Sequence, residues 1–565
     1  MRLRVLQSCS QAFEPIRGRV VGETDARKTS GPNNQLAPEP GYDDEGSVRG
    51  LGTFGPEGGE GTQYPPIRNV IVIMTGVYLC MLLVALDRTI ISTAIPQITD
   101  DFYSLNDVGW YSSAYLITSC AIQLIYGRIY TFYNTKWVFP ASAGIFEARS
   151  ALCGAASNSP SFIGGRALAG LGSSGIFSGV IVIMIPLLPL QKRPMWQGFS
   201  GAIFGVSSVV GPLSGGSLTK NVTWRWCCYL NLPIGGFSAL IMLLMLRVPS
   251  PKEASATEKQ QAIKLDPLGS LVFLPSIISL LLALQWGGTQ YAWDSGRIIA
   301  LLVLFSVLFL TFIGIQLWQR ENATIPPRII AQRSIAAGVT CSMCVAIKNA
   351  DAMKSGIMIL PLILSLVIAS ILTGIVVSKV GYYTPFLLAG AVFMATSAGL
   401  MTTFKVDTNH AKWIGYQSIY GFGQGMAMQQ SGVAAQASLQ RKDIPTGVSL
   451  MFFGQSLGGA IFLAAGLKTV TGLDPNAVLM SGATDLRNIV SADKLPAVLT
   501  AYDYALTRAF IVGTSMAALA FFGALAMEWR SVKKGKVKMM QQAKDGPRGP
   551  GGQEKGQNDE TNETA

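Results

Sequence analysis

The chain has 565 residues, of which 49% are hydrophobic and only 13% are charged. A soluble domain carries about 25% charged residues, so the charged share here is roughly half of the expected value. Apolar runs of about 20 residues, the length that crosses a bilayer core, alternate with short polar turns. The composition excludes an ordinary soluble protein and predicts an all-α integral membrane protein in a lipid bilayer.

The formal net charge of +12 raises the question of nucleic-acid binding. Most of the basic residues lie in alternate loops and in the C-terminal tail, which is the distribution that the positive-inside rule predicts for cytosolic segments. No basic helix is interleaved with base-stacking aromatics, which is the usual pattern of a nucleic-acid surface. The excess charge therefore indicates membrane topology, and nucleic acid is not expected as a partner.

Cysteine and histidine usage argues against metal or hydrolytic chemistry. The eight cysteines are scattered along the chain, and His410 is the only histidine. Cys341 and Cys344 form one CxxC pair without a second pair nearby, whereas a structural zinc site needs four ligands. No nucleophile constellation lies in or beside the apolar runs. We therefore expect no metal, no cofactor and no enzymatic activity.

Composition divides the chain into five segments. Residues 1–64 are rich in Gly, Pro, Glu and Asp without a periodic apolar face, which predicts a disordered cytosolic tail. Two sets of six apolar runs, at 65–248 and 334–530, predict two six-helix bundles. Between them, 249–333 predicts a cytosolic loop and two linker helices, and 531–565 predicts a basic and polar cytosolic tail.

About fourteen spans are predicted, and one of them is short. In chain order they are 67–86, 108–130, 137–157, 161–186, 195–218, 227–247, 267–285, 298–318, 335–347, 355–377, 384–404, 412–436, 446–470 and 507–528. The ninth, 335–347, reaches only about 20 Å, whereas a bilayer core is about 30 Å thick. Either irregular neighbours extend this helix, or residues are missing from it.

Asp87 is a candidate proton-coupling residue. It lies near the predicted outer end of the first span, and an ionisable group within an apolar run is costly enough to suggest a function. Its carboxylate could take up and release a proton as the transport path changes exposure. The alternative interpretation is an interfacial carboxylate that pairs with Arg88 or caps the backbone.

Glu147 and Arg166 are the other two proton-coupling candidates. A buried guanidinium at Arg166 needs a carboxylate, a carbonyl or a substrate, and Glu147 and Asp87 are the carboxylates considered. A structural ion pair is the alternative. Arg149 lies two residues after Glu147, so the two do not face each other on a helix. One is expected to point to the transport path and the other to a neighbouring helix or the interface, and Arg149 is expected to snorkel or to be anomalous.

Polar residues of the second bundle predict a substrate cavity. Glutamine side chains can hydrogen-bond a polar organic molecule, and aromatic and methionine neighbours suit a bulky amphipathic one. Hydrogen bonding between helices is the alternative for each glutamine. The substrate-cavity candidates are Gln424, Gln429, Gln430 and Gln455.

A glycine-rich hairpin spans residues 201–236. Gly211, Pro212, Gly215 and Gly216 lie within an apolar run that precedes the turn containing Trp224. Proline removes a backbone donor, and small residues let a facing helix approach closely, which predicts a tight, kinked helix contact. Such a contact can seal a transport path on one side.

Three sequence stretches resemble the motifs of one family. These are LDRTIISTAIPQIT near Asp87, GRALAGLGSSG around Arg166, and VVGPLSGGSLTKNVTWRWCCYLNLPIG in the hairpin. From about residue 65 to 530 the chain resembles the major facilitator superfamily, specifically its fourteen-helix drug:proton antiporter branch and the fungal toxin and multidrug efflux pumps within it. The combination is specific to the family and says little about the substrate.

The resemblance implies two six-helix bundles that alternate in access, with two additional helices between them. It implies that Asp87 is the motif carboxylate, that Arg166 is the arginine implicated in proton transfer, and that the hairpin glycines with Pro212 form the antiporter motif. Thr131 departs from the pattern, because the superfamily motif has aspartate there and uses it in an interdomain charge lock. Arg149 and the short ninth span are further departures.

The predicted function is proton-coupled efflux, by antiport, of small organic compounds such as toxins, secondary metabolites or drugs. A monomer is expected, and the plasma membrane is favoured over the vacuole. The same fold would also permit an importer or a vacuolar basic-amino-acid carrier. A sensor or scaffold that no longer transports is a further alternative, because the ninth span is short.

Overall fold

The computed structural model describes residues 64–104, 107–246, 264–288, 290–346, 360–404, 408–467 and 495–533. Within these ranges the chain is helical, and the only β-type pairings described are two isolated bridges. The prediction of an all-α protein is confirmed. Most of the predicted N-terminal tail, most of the loop after the sixth span and nearly all of the predicted C-terminal tail lie outside the described residues.

Seven helices of the described part of the chain precede residue 250. They are α1 (Ile67–Phe102), α2 (Val108–Phe132), α3 (Thr135–Gly154), α4 (Ser159–Leu187), α5 (Arg193–Asn221), α6 (Trp226–Tyr229) and α7 (Asn231–Met245). Short polar residues fix two of their beginnings, since the side chains of Asn134 and Asn158 accept hydrogen bonds from the first turns of α3 and α4. The hairpin of the sequence analysis corresponds to most of α5, the turn after it, α6 and the start of α7.

Ten helices of the described residues follow. They are α8 (Pro267–Trp286), α9 (Gly296–Gln319), α10 (Pro327–Ile330), α11 (Arg333–Ala346), α12 (Leu360–Val380), α13 (Thr384–Met401), α14 (His410–Ala427), α15 (Gln430–Ser438), α16 (Ile444–Leu467) and α17 (Leu495–Ala526). Helices α8 and α9 coincide with the two predicted linker helices. α5 packs against both α1 and α12, and α16 packs against both α2 and α11, so helices from the two ends of the chain are in direct contact.

By length and hydropathy, eight helices of the described part could each cross a bilayer: α1, α4, α5, α6 with α7, α8, α9, α12 and α13. The chain is therefore a multi-pass membrane protein. The count of fourteen spans and the division into two six-helix bundles stay predictions.

The first predicted span ended too early. The predicted end was residue 86, but α1 continues through Pro96 to Phe102, so Asp87 lies inside the helix rather than near its outer end. The charged pair at Asp87 and Arg88 interrupts the apolar run without ending the helix, because Asp87 pairs with arginines of neighbouring helices and Arg88 donates to Tyr115. Beyond it, Ile90 and Ile98 are buried again.

Two C-terminal predictions also differ from the structure. The predicted span 412–436 is divided into α14 and α15, with the break at Met428 and Gln429. The last helix begins at Leu495 rather than near residue 507. The first difference matters for the site, because it puts Gln429 and Gln430 at a junction between two helices.

The ninth predicted span corresponds to helix α11. Its described part has 14 residues, which corresponds to about 21 Å. It is well packed: Ile335 and Cys341 are fully buried, and the Cys341 thiol donates to the carbonyl of Ala520 in α17 at 3.3 Å. Residues 347–359, which follow α11, lie outside the described part of the chain.

Candidate proton-coupling and substrate-binding site

Asp87 is fully buried in the middle of α1, and two arginines hold its carboxylate. Arg149 Nη2 lies 2.6 Å from Oδ1, and Arg166 Nη1 lies 2.6 Å from Oδ2. The arginines come from α3 and α4, and both are almost completely buried. We refer to these three residues as the Asp87 triad. It joins three helices and contains one more positive than negative charge.

Each arginine of the triad has further support. Arg166 donates from Nε to the carbonyl of Tyr111 at 2.8 Å, and its guanidinium lies 4.9 Å from the ring centre of Tyr115. Arg149 lies 4.3 Å from the ring centre of Phe146 on its own helix. Aromatic faces stabilise cations through their quadrupole. These contacts partly offset the desolvation cost of two buried guanidiniums.

The structure corrects the interpretations of Asp87 and Arg149. Asp87 pairs with arginines of two other helices and not with Arg88, whose Nε donates to the hydroxyl of Tyr115 at 3.0 Å. The expectation that Arg149 snorkels is wrong, because its side chain is completely buried against Asp87. The two-residue spacing after Glu147 turns Arg149 to a different face of α3, from which its side chain reaches Asp87.

Glu147 lies apart from the ion pairs of the triad. It is half-buried, and its Oε1 faces Gly235 of α7, where any side chain would collide with it. Its Oε2 has no hydrogen-bond partner among the described residues. Of the two carboxylates considered for Arg166, the structure therefore selects Asp87.

The glycines of the hairpin are divided between two faces of α5. A Cβ atom added at Gly211 would collide with Thr89, and one added at Gly215 would collide with Thr93, so these glycines are what lets α5 approach α1. Thr89, two residues after Asp87, donates to the carbonyl of Ser207 at 3.0 Å. Gly216 has no neighbouring atom within 4 Å of an added Cβ and takes no part in this contact.

The four glutamine candidates lie on different elements. Gln424 in α14 and Gln430 at the start of α15 are buried, whereas Gln429 at the junction and Gln455 in α16 are half-buried. Gln430 Oε1 has no hydrogen-bond partner among the described residues. Gln429 reaches towards α5, since its Nε2 lies 3.5 Å from a Cβ built at Gly201. The junction of α14 and α15 thus faces α5.

The sequence profile described as Major Facilitator Superfamily matches residues 77–463. The chain belongs to the major facilitator superfamily. It is 48% identical over 510 residues to the MFS-type transporter VdtG of Byssochlamys spectabilis, covering 86% of this chain and 92% of that protein. It is 47% identical over 499 residues to the rubrofusarin-specific efflux pump aurT of Gibberella zeae, covering 84% of this chain and 92% of aurT.

The fold of the superfamily is also found in solved structures. The proton:xylose symporter XylE aligns with a TM-score of 0.54 at 13% identity, covering 83% of this chain and 99% of XylE. At that identity the likeness concerns the fold alone. Together with the helical architecture, it confirms the predicted major facilitator-type fold.

Sequence reasoning missed one polar residue of this transporter that faces the same junction. Gln197, in the first turns of α5, is fully buried, and neither amide atom has a hydrogen-bond partner among the described residues. Its Oε1 lies 3.7 Å from a Cβ built at Gly432 in α15. A glutamine inside an apolar run could have indicated this position. Gln197 lies only two residues after the predicted start of its span, where a polar residue is expected to face the interface.

Polar contacts also connect the segments next to the linker helices α8 and α9 to N-terminal and C-terminal helices of this transporter. Arg128, at the end of α2, donates from Nη2 to the carbonyls of Lys264 at 2.8 Å and Asn322 at 3.1 Å. Arg328 binds Asp443, just before α16, through two hydrogen bonds of 2.6 and 2.8 Å. Thr131, which has no carboxylate, donates only to the carbonyl of Gly127 among the described residues.

Proposed function

We propose that this chain is a proton-coupled exporter that exchanges small organic compounds for protons. The observation that carries the proposal is the Asp87 triad: a carboxylate buried in the middle of a transmembrane helix, with each oxygen held by an arginine from a different helix. Buried ionisable groups in membrane helices characteristically mark ion and proton paths. The name of aurT as an efflux pump supports the outward direction.

Protonation of Asp87 would change the forces between α1, α3 and α4. A proton on either carboxylate oxygen removes the negative charge, and two guanidiniums then face each other across a neutral group. Their repulsion favours a state in which the helices separate or water enters, so proton binding shifts the balance between inward-open and outward-open states. Loss of the proton restores the two ion pairs and returns α1, α3 and α4 to the arrangement in which both arginines bind Asp87.

The other candidates have roles around this step. Glu147 is the proposed second carboxylate of the proton path, since one of its oxygens lacks a partner among the described residues. The contact of Gly211 and Gly215 with α1 connects the helix of Asp87 to α5. Gln424, Gln429, Gln430 and Gln455 are the proposed hydrogen-bonding groups for the substrate.

The cellular setting follows from the same proposal. Export of compounds from the cell requires the plasma membrane, which we favour over the vacuole, and a monomer provides both halves of the transport path. An importer or vacuolar amino-acid carrier would use the same triad in the opposite direction. A sensor or scaffold without transport is the second candidate function, because the predicted ninth span, 335–347, is short in the sequence.

We propose that this chain also carries rubrofusarin, the compound in the name of aurT, and transport of rubrofusarin by the reconstituted protein tests the proposal. The full chain is inserted into liposomes, a pH gradient is imposed, and movement of rubrofusarin against the proton flow is measured. We expect gradient-dependent movement by the unaltered chain and none by Asp87→Asn. Asp101→Asn is the matched control, because Asp101 is the outer carboxylate of the same helix and binds Arg225 at 3.2 Å. Gradient-dependent transport by Asp87→Asn would refute the role of Asp87.

A further inference from the structure

Arg88 is a cation inside the transporter that has no carboxylate partner. It follows Asp87 on α1 and is half-buried, yet it forms no ion pair with an acidic residue of the described part of the chain. One of its N–H groups, on Nε, donates to the Tyr115 hydroxyl at 3.0 Å, and this is its only hydrogen bond to a described residue. A guanidinium has five N–H donors, so most of its binding capacity is free.

The guanidinium lies over two aromatic rings. Its Cζ is 4.9 Å from the ring centre of Tyr115 and 5.2 Å from that of Phe177. Phe177 is the start of a group of three rings from three helices. It stacks on Phe204 of α5 at 5.6 Å with an interplanar angle of 18°, and it lies 5.8 Å from Phe452 of α16 at 32°.

These three residues, Phe177, Phe204 and Phe452, are called the aromatic stack. The stack joins α4 and α5, which are N-terminal helices, to α16, which is a C-terminal helix. Phe177 is buried on α4, whereas Phe204 and Phe452 are half-buried and so retain ring surface for a ligand. Because α16 belongs to the C-terminal helices, a molecule lying on these rings contacts both groups of helices. Phe177 and Phe204 are nearly parallel and Phe452 is tilted by 32° to Phe177, so the rings offer aromatic faces that suit a flat aromatic molecule.

The charges of this region are not balanced. Arg88, Arg149 and Arg166 provide three positive charges, whereas Asp87 and Glu147 provide at most two negative ones. The Asp87 triad has one excess positive charge of its own, and Arg88 adds a second cation that pairs with no carboxylate of the described residues. An unpaired cation in a low-dielectric interior strongly favours an anionic ligand.

We infer that Arg88 and the aromatic stack bind planar aromatic acids, that is, flat compounds with a carboxylate or an acidic phenol. The free N–H groups of Arg88 would bind the anionic oxygens, ideally in the bidentate geometry of a carboxylate. The rings of Phe177, Phe204 and Phe452 would hold the flat carbon skeleton. This inference rests on the proposed function, because it specifies the substrate class of that exporter.

A pair of probes that differ in charge but hardly in shape tests this inference. Binding of pyrene-1-carboxylate and of pyrene-1-carboxamide to the purified full chain is measured by pyrene fluorescence. We expect the unaltered chain to bind the carboxylate about tenfold more tightly than the carboxamide, which is the scale of one charge-assisted interaction. In Arg88→Gln this ratio should fall to about one, and in Arg88→Lys it should be intermediate.

Arg297→Gln is the matched control. Arg297 also donates to a tyrosine hydroxyl and lies 4.8 Å from the ring centre of that residue, Tyr291, but it is exposed and remote from the aromatic stack in sequence. The affinity ratio should be the same as in the unaltered chain. A second variant, Phe204→Leu, should weaken both probes about threefold to tenfold without changing their ratio, since an aromatic pair contributes about that much.

The outcomes separate this inference from the proposed function. A ratio near one in the unaltered chain, or an unchanged ratio in Arg88→Gln and Arg88→Lys, would overturn the inference and leave proton-driven rubrofusarin transport intact. Unchanged affinities in Phe204→Leu would overturn the role of the aromatic stack. If the ratio depends on Arg88 but the unaltered chain transports nothing across a pH gradient, the site stands and the proposed exporter falls.

Discussion

At the scale of residues, the Asp87 carboxylate is balanced between two guanidiniums from different helices. Buried ion pairs of this kind are often neutral for stability when complete, but removing one partner leaves a buried charge uncompensated. The triad is therefore more sensitive to loss of its single anion than to loss of either cation. Arg149 without Asp87 would remain fully buried beside Arg166.

Loss of Asp87 should destabilise the protein, and loss of a cation should then partly restore it. We expect Asp87→Asn to cost about 3–5 kcal/mol and to lower the melting temperature of the purified chain. Adding Arg149→Met removes one of the two uncompensated charges, so the double variant should melt above the single one. Melting of Asp87→Asn at the unaltered temperature would contradict this balance. The double variant also separates loss of transport from loss of folding.

At the scale of elements, two contacts connect helices that are distant in sequence. One is the close contact of α5 with α1 at Gly211 and Gly215. The other is Arg328, which joins the segment after α9 to Asp443 before α16. The glycine contact lies between two long apolar helices, and the Arg328–Asp443 pair lies in segments that connect helices.

The contact between α5 and α1 predicts that alanine substitutions at two glycines of the same motif, Gly211 and Gly216, have different effects on transport. Gly211→Ala puts a methyl group where Thr89 lies, so α5 must move away from α1, and rubrofusarin transport should fall at least tenfold. Gly216→Ala is the matched control, because nothing lies within 4 Å of its added Cβ. Equal transport by the two variants in the liposome assay would mean that the contact has no part in the cycle.

Arg328 and Asp443 predict a rescue by exchange of charges. The carboxylate side chain is only 9% exposed, although the arginine is 37% exposed. We expect Asp443→Arg to slow transport several-fold, because it puts two cations together, and Arg328→Asp in the same chain to restore most of the rate. Glu321→Gln is the control, since Glu321 binds the same arginine but is 66% exposed and exposed pairs contribute little. Failure of the double variant to recover would exclude the pair as a functional contact.

At the scale of the whole molecule, the sequence predicted which segments are helices far better than how their side chains meet. Apolar runs located most of the helices within a few residues, because bilayer thickness and hydropathy act on each segment separately. The end of α1 was misplaced because the charges at Asp87 and Arg88 resemble a boundary until their partners are known. The burial of Arg149 was missed for the same reason: its partner lies 62 residues away, on another helix.

The candidate site follows this pattern. Asp87 and Arg166 could be identified from the resemblance and from the cost of charge in a membrane. Arg149, Gln197 and the aromatic stack could not, because each depends on a neighbour from a distant segment. The break between α14 and α15, which puts Gln429 and Gln430 opposite α5, has no proline to indicate it. The roles of all these residues stay predictions.

The central claim is that Asp87 couples proton movement to export, and proton flux driven by substrate tests it most directly. Liposomes that contain the full chain and a pH-sensitive dye are given a rubrofusarin gradient without any initial pH difference. The account predicts proton movement opposite to rubrofusarin for the unaltered chain and for Asp101→Asn, and none for the folded Asp87→Asn, Arg149→Met double variant. Proton movement at the unaltered rate in that double variant would contradict the account.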